Sequence, residues 1–307
     1  MESKVNSNEI LSKYEDEKII SPTRLVWHRL KKNKLAIAGL IIILFMIIVA
    51  VIGPFLSPYN MASLDLDNVK AAPSMQHWLG TDDIGRDVFT RLIYAGRISL
   101  AVGFFAVVVE VVLGTLLGVV AGFYGGIVDS IIMRIVDVFL CIPMIPILMM
   151  LGAVMLDLNI RAENKMYVVM FLIGVLSWPS LCRLVRGEIL SLREQEYMQA
   201  ADALGLKDST KMFKHLVPNT FASIIVTATL GIGGAILTES ALSYLGLGVT
   251  APTPSWGTLI NAVTDMYTLQ YCPWLWVPPG VCILLTVVAI NLLGDGLRDA
   301  VDPKLKK

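Results

Sequence analysis

The chain has 307 residues, 55% of them hydrophobic and only 16% charged, with mean hydropathy +0.69 and 25 basic residues balanced by 25 acidic ones. Soluble domains carry about 25% charged residues, so the composition excludes an ordinary soluble domain and points to the membrane. The zero net charge gives no electrostatic footprint for a nucleic-acid partner.

The first thirty residues are polar and charged and do not read as a cleaved signal peptide. A spanning helix needs about 20 mostly apolar residues. Six segments qualify: 35–56, 98–123, 127–155, 166–182, 220–247 and 274–294. Residues 1–34 form an N-terminal segment and 57–97 a long loop after the first span. Residues 98–296 form a five-helix core, and 297–307 a tail. The predicted architecture is an all-α membrane protein with six transmembrane helices and both termini on one side.

Lys and Arg set the orientation. With the N-terminus inside, only Lys70, Arg86, Arg91, Arg97, Arg161 and Lys165 fall outside, leaving 19 of the 25 basic residues in inner segments. The bias predicts N-in, C-in. Trp78, Trp256, Trp274 and Trp276 then fall at or near the outer interface, where indole is favoured.

In the 57–97 loop, Asp82, Asp83, Arg86 and Asp87 crowd together with Gly80 and Gly85 as turn points. The cluster reads first as capping and ion-pair order, although two or three carboxylates also suit a cation. From Val88 to Leu100 the apolar spacing is helical and leads into span two. That span carries Gly114 and Gly118, and span five carries Gly231 to Gly234. Small residues of this kind let helices approach closely in lipid, within this chain or against a second membrane subunit. Pro143 and Pro146 predict a kink or break in span three.

Ionisable residues inside spans cost about 2.5–3.5 kcal/mol at a helix centre on insertion scales. Glu110 and Glu239 are therefore candidates for a substrate path, against the plainer reading of inter-helix hydrogen bonding. Arg134 and Asp137, one turn apart, read as a local pair. Cys141, Cys182, Cys272 and Cys282 have no metal spacing and read as small buried hydrophobes. His28, His77 and His215 make no metal or triad pattern, so no metal site and no catalytic residue is expected. No G-x-x-x-x-G-K-[ST] loop is present to hold ATP phosphates.

Between spans four and five a charged island contains EYMQAADALGL, residues 196–206. Tyr197, Ala200, Ala201 and Leu204 recur at helical spacing on one face, most of it alanine. Gly205 is placed to end the helix in a left-handed cap. Asp208 or Ser209 is placed to cap a second short helix that ends before Pro218. A helix lying on lipid usually buries bulky residues. A helix docked in the groove of another protein accounts better for small ones.

The island resembles the cytoplasmic motif of the transmembrane subunits of bacterial ABC importers: Glu-Ala-Ala, three residues, Gly, and a spacer to a Leu-Pro-like pair. Here it stands as Gln199-Ala200-Ala201, Asp202 to Leu204, Gly205 and Val217-Pro218, with Gln199 in place of Glu. HWLGTDDIGRDVFTRLIYAGRISL (77–100), the LTESALSYLGLGV…SWG stretch (237–257) and GDGLRDAVDPKLKK (294–307) are similar to the C-type subunit of dipeptide and oligopeptide permeases. The likeness covers residues 24–307.

The resemblance implies the type I importer transmembrane fold and a bacterial cytoplasmic-membrane location. It implies a paralogous permease partner, two cytoplasmic ATPases that hold ATP and Mg, and an outer binding protein that delivers peptide. Coupling helices are expected at 194–217, with Glu196, Tyr197, Gln199, Ala200, Ala201, Leu204, Gly205, Lys211 and His215 as ATPase-docking residues. Close relatives of such machines carry nickel complexes or oligosaccharides, so cargo stays open at this point. A stand-alone secondary transporter would need an internal ion site and an inverted repeat, and no convincing repeat is present.

Overall fold

The computed structural model describes residues 22–301, and its regular elements are helical apart from one isolated bridge between Thr81 and Asp87. The expectations for residues 1–21 and for the tail from 302 to 307, including the last basic residues, lie outside the described residues.

Helix α1 (Pro22–Lys32) is followed by α2 (Lys34–Leu56), whose N-terminus is capped by Asn33 accepting from the backbone N–H of Leu35 and Ala36. Next comes α3 (Val88–Tyr124), which absorbs the end of the predicted loop and merges with span two in one continuous helix. Span three is broken. Helices α4 (Gly126–Cys141) and α5 (Met144–Asp157) meet at 82° across Ile142 and Pro143, as the missing proline donor predicts. Helix α6 (Ala162–Leu192) overruns the predicted fourth span at both ends.

The island folds as α7 (Glu196–Ala203) and α8 (Asp208–Thr210). The latter continues through a π-helical turn (Lys211–Leu216) into α9 (Val217–Tyr244). The helix does not stop before Pro218, because proline within the first two positions of a helical segment loses no needed hydrogen bond. Helices α10 (Trp256–Ile260) and α11 (Met266–Tyr271) precede α12 (Val277–Val301). Among the described residues five helices are long and apolar enough to cross a membrane, and the bent α4–α5 pair, taken as one span, brings the number to six.

Close approaches fix the packing. Gly114, Gly118 and Gly122 of α3 lie against Leu181, Val185 and Ile189 of α6, so these two helices run parallel along the most extensive contact of the fold. Gly103 of α3 meets Ile236 of α9, and Glu110 meets Gly231, so α3 and α9 are antiparallel. Helices α2 and α12 are also antiparallel: Gly39 touches Ala289 and Gly296 touches Ala36. Helix directions therefore alternate along the chain. Residues 22–34, 124–126, 192–216 and 301 share one end, and 57–87, 158–161 and 245–276 share the other. The Gly114–Gly118 stripe packs inside the chain, as do Gly231 and Gly233, whereas Gly234 faces open space.

Several local expectations are corrected. Asp137 pairs with Arg183 of α6, not with Arg134 on its own helix, and Asp129 receives a bidentate pair from Arg186 at 2.6 and 2.5 Å. Both acids are thus satisfied across the α4–α6 seam. Trp256 is no interface anchor: it is 1% exposed and lies over Gly96 in the core, while Trp78 is exposed. Cys182 and Cys272 are buried, but Cys141 is exposed at the helix break.

The Asp82–Asp87 cluster is ordering chemistry. Asp82 accepts from the backbone of Ile84 and Arg86 and pairs with Arg86 Nε at 2.7 Å. Asp87 caps α3 through the Thr90 N–H and also meets the buried His77 ring at 2.9 Å. Gly80 and Gly85 take positive φ, as turn points do.

Candidate functional site

The end that carries residues 192–216 presents α7. Gln195 precedes it in extended conformation without a side-chain cap, and Glu196 places an acid in the first turn, where the helix dipole favours one. The helix closes on Gly205 at φ +66°. Gly205 N–H donates to Asp202 O at 2.9 Å and Leu206 N–H to Ala201 O at 3.1 Å. These are the two hydrogen bonds of a Schellman cap, and they require the left-handed residue that glycine supplies.

Met198 and Ala201 point into the chain, and Met198 joins Met212, Leu216, Val119, Leu181, Val185 and Ile189 in one apolar cluster. Glu196, Tyr197, Gln199, Ala200 and Leu204 face outward; Tyr197 is 39% and Leu204 78% exposed. Ala201, at 5% exposure, does not share the face with Tyr197, Ala200 and Leu204. The spacing that groups the four residues covers an arc wide enough to include the helix underside, and Ala201 falls there. Partial burial pushes the Tyr197 hydroxyl above its ordinary pKa.

The second short helix is N-capped by Lys207 rather than by Asp208 or Ser209, with no side-chain cap. Asp208 instead sits in the first turn and takes part in a clasp. Lys211 Nζ donates to Asp202 on α7 at 2.8 Å and meets Asp208 at 2.9 Å. It also lies 5.3 Å above the Phe123 ring at the end of α3. The hydrogen bond to Asp202, then that to Asp208, holds the ammonium above the ordinary lysine pKa. Lys211 is therefore occupied in fastening α7 to α8. His215 is half-buried, and its carbonyl accepts from Asn219 at 2.6 Å.

Gln199 Nε2 donates to Glu194 O at 3.3 Å. A carboxylate accepts only, so the Glu of the common motif would not make this contact, and Gln199 spends its amide on its own chain. One fastening residue escaped the sequence reading. Arg193 Nη1 donates to Gly122 O at 3.0 Å and approaches Phe123 O, binding the root of α7 to the carbonyl end of α3. The available signal was a cation in the charged island just ahead of α7, of the kind that unpaired helix-end carbonyls attract.

The two carboxylates proposed for a path separate clearly. Glu239 is fully buried and accepts from Ser243 Oγ at 2.6 Å and Ser99 Oγ at 3.2 Å. Those hydroxyls in turn accept from Val249 N–H and Trp256 N–H. Glu239 is thus an inter-helix node that ties α3, α9 and the 245–256 turn together, with no face left for a passing ligand. Glu110 is buried against Gly231, whose Cβ position lies 3.2 Å from its Oε2, and it makes no hydrogen bond among the described residues. No group of three or more potential metal ligands is gathered among the described residues.

At the opposite end a cavity of about 430 Å³ opens between the 70–91 segment and residues 243–275. Across its rim Lys70 Nζ pairs with Asp265 at 2.8 Å, and that hydrogen bond is the chief reason the Asp265 carboxyl lies well below the usual range.

Residues 114–307 match the family described as binding-protein-dependent transport system inner membrane component. Residues 21–73 match the N-terminal TM domain of oligopeptide transport permease C. A dipeptide transport system permease protein of Alkalihalophilus pseudofirmus is 45% identical over 94% of this chain and 91% of its own length. An oligopeptide transport system permease protein of Bacillus subtilis is 41% identical over 95% of this chain and 94% of its own. A glutathione transport system permease protein of Pectobacterium atrosepticum is 40% identical over 95% and 94%.

Proposed function

The chain belongs to the family of binding-protein-dependent transport system inner membrane components, and from that premise we propose that it is a C-type permease subunit of a di- or oligopeptide ABC importer. It is a multi-pass membrane protein with the type I importer transmembrane fold, and its part in the machine is mechanical. We place the α7 end on the cytoplasmic side of a bacterial inner membrane, because that end collects the basic residues. A paralogous permease completes the path, two ATPases that carry ATP and Mg dock inside, and a peptide-binding protein delivers cargo outside. The open face at Gly234 suits close approach by the second permease.

The observation that carries the reading is the build of α7. Its outward face holds Tyr197, Ala200 and Leu204 beside the polar Glu196 and Gln199, and the helix is fixed at its root by Arg193, at its tip by the Gly205 cap and along its flank by Lys211–Asp202. A helix fixed in this way moves as one body with the bundle ends beneath it. When the ATPases close on ATP, force on the outward face passes through Met198, Met212 and Leu216 to α3, α6 and α9, which carry Val119, Leu181 and Ile224 of the same cluster. The two permease halves then rock to change access.

The test is reconstitution of the five-part assembly in proteoliposomes. ATP-dependent uptake of labelled dipeptide that also needs the binding protein is expected. Uptake of nickel or sugar with no peptide transport would overturn the cargo assignment.

A further inference from the structure

The cavity between the 70–91 segment and residues 243–275 holds one buried cation that no described residue meets with a hydrogen bond. Arg91 lines it, and its side chain is 6% exposed. It makes no hydrogen bond among the described residues, and its Nε is buried without a partner. The nearest carboxylate oxygen is Asp82 Oδ2 at 3.5 Å, and that oxygen already accepts from Arg86 Nε at 2.7 Å. The other charges that line it are paired within the chain, Lys70 with Asp265, and Arg86 with Asp82 and, at 3.8 Å, with the exposed Asp83. The neutral polar group of Asn261 is spent on Tyr244 O.

Burying a guanidinium without hydrogen-bond acceptors is costly, and such a group is normally matched by an acceptor that reaches it. Its planar fork fits a carboxylate bidentately. The walls beside it are apolar, from Val88, Val249, Leu259 and Leu275. The volume lies within the ordinary range of small-ligand pockets, about 300–1,000 Å³.

We propose that this cavity is a recognition site for the free C-terminal carboxylate of a short peptide, with Arg91 as the anchoring cation and the apolar walls receiving the adjacent side chain. The site would hold cargo on the permease itself, at the end where the delivering protein releases it. The proposal rests on the peptide-import reading. A short peptide is favoured over an acidic side chain of a docked protein because the space Arg91 lines is concave and partly apolar, with a volume of about 430 Å³ that takes a whole residue beside the guanidinium.

The experiment uses the assembled transporter in lipid nanodiscs without the binding protein. The probes are leucyl-leucine, its C-terminal amide, and N-acetyl-leucyl-leucine, with binding read by calorimetry. The free acid and its N-acetyl form should bind. The amide should bind about tenfold more weakly or worse, the loss expected when a charge-assisted contact is removed. Arg91→Gln should lower binding of the acid to the level of the amide, and Arg91→Lys should fall between them. The comparison of acid with amide needs no variant, so it stands even if a substitution impairs folding. Equal binding of acid and amide, absence of binding by either, or full binding by a folded Arg91→Gln complex would overturn the proposal. Uptake of the same dipeptide delivered by the binding protein separates the two readings. If uptake proceeds while acid and amide are not distinguished, the site is wrong and the import reading stands; if no uptake occurs, the import reading itself fails.

Discussion

Gly205 offers the cleanest perturbation of α7, because no atom lies within 4 Å of the position a Cβ would take. Replacing it with alanine therefore adds no clash. The only cost is that of holding an L-residue at φ +66°, about 1–2 kcal/mol. An energy of that size changes the population of the capped turn by roughly 5- to 30-fold. Two hydrogen bonds depend on the turn, Gly205 N–H to Asp202 O and Leu206 N–H to Ala201 O, and Asp202 is also the acceptor for Lys211. Opening the cap thus loosens both the tip and the flank of the helix. Asparagine tolerates the left-handed region and valine does not. The expected order of substrate-stimulated ATPase activity in the assembled complex is wild type, Gly205→Asn, Gly205→Ala, Gly205→Val, with membrane insertion unchanged. Equal stimulation across the series would refute the cap as a mechanical element. An Asn variant as damaged as Val would show that side-chain volume at the docking surface matters and φ does not.

Further outcomes follow from the same geometry. Ala200→Trp, on the outward face, should abolish stimulated ATPase activity while stability in a denaturant titration stays within about 0.5 kcal/mol of wild type. Ala201→Trp, on the inward face, should cost about 1–3 kcal/mol by overpacking and lower stability first. Glu239→Ala should destabilise the purified subunit by about 1–3 kcal/mol, since Ser99 and Ser243 lose their shared acceptor, whereas Glu110→Gln should leave stability near wild type. Asp265 has a depressed carboxyl pKa, so its link to Lys70 is present above the ordinary aspartate value and is lost only as pH falls through the still lower folded value. Limited proteolysis of the 57–87 segment should therefore be constant from pH 5 to 8 in the wild type and faster throughout that range in Asp265→Asn.

What the sequence made legible was what depends on local spacing. Apolar run length placed every span, Pro143 marked the break between α4 and α5, and Gly205 marked the end of α7. What it hid was what depends on a neighbour distant in the chain. Asp137 has a plausible partner one turn away in Arg134, yet the α4–α6 seam brings Arg183 closer. Glu239 reads as a costly intramembrane charge until Ser99, some 140 positions earlier, is folded against it. The helical period groups Ala201 with Ala200, and only the packing of Met198 over the bundle end shows which of the two points inward.

The same distinction bears on Gln199. The common motif carries an acid at this position, and an acid there is free to meet a cation on a docked protein. In this chain the side-chain amide donates to Glu194 O, which an acid cannot do. Glu196 is exposed one turn earlier, at the helix end where a negative charge is favoured. If docking needs an acid on this flank, Glu196 is the one available, and Glu196→Gln should weaken ATPase association in a salt-dependent way. Gln199→Glu should then restore part of the lost affinity in the Glu196→Gln background, despite losing the contact to Glu194. Pull-down of the ATPases across a salt series reads both effects. Association that is indifferent to Glu196→Gln at low salt would mean that the outward face holds its partner by shape alone, through Tyr197, Ala200 and Leu204.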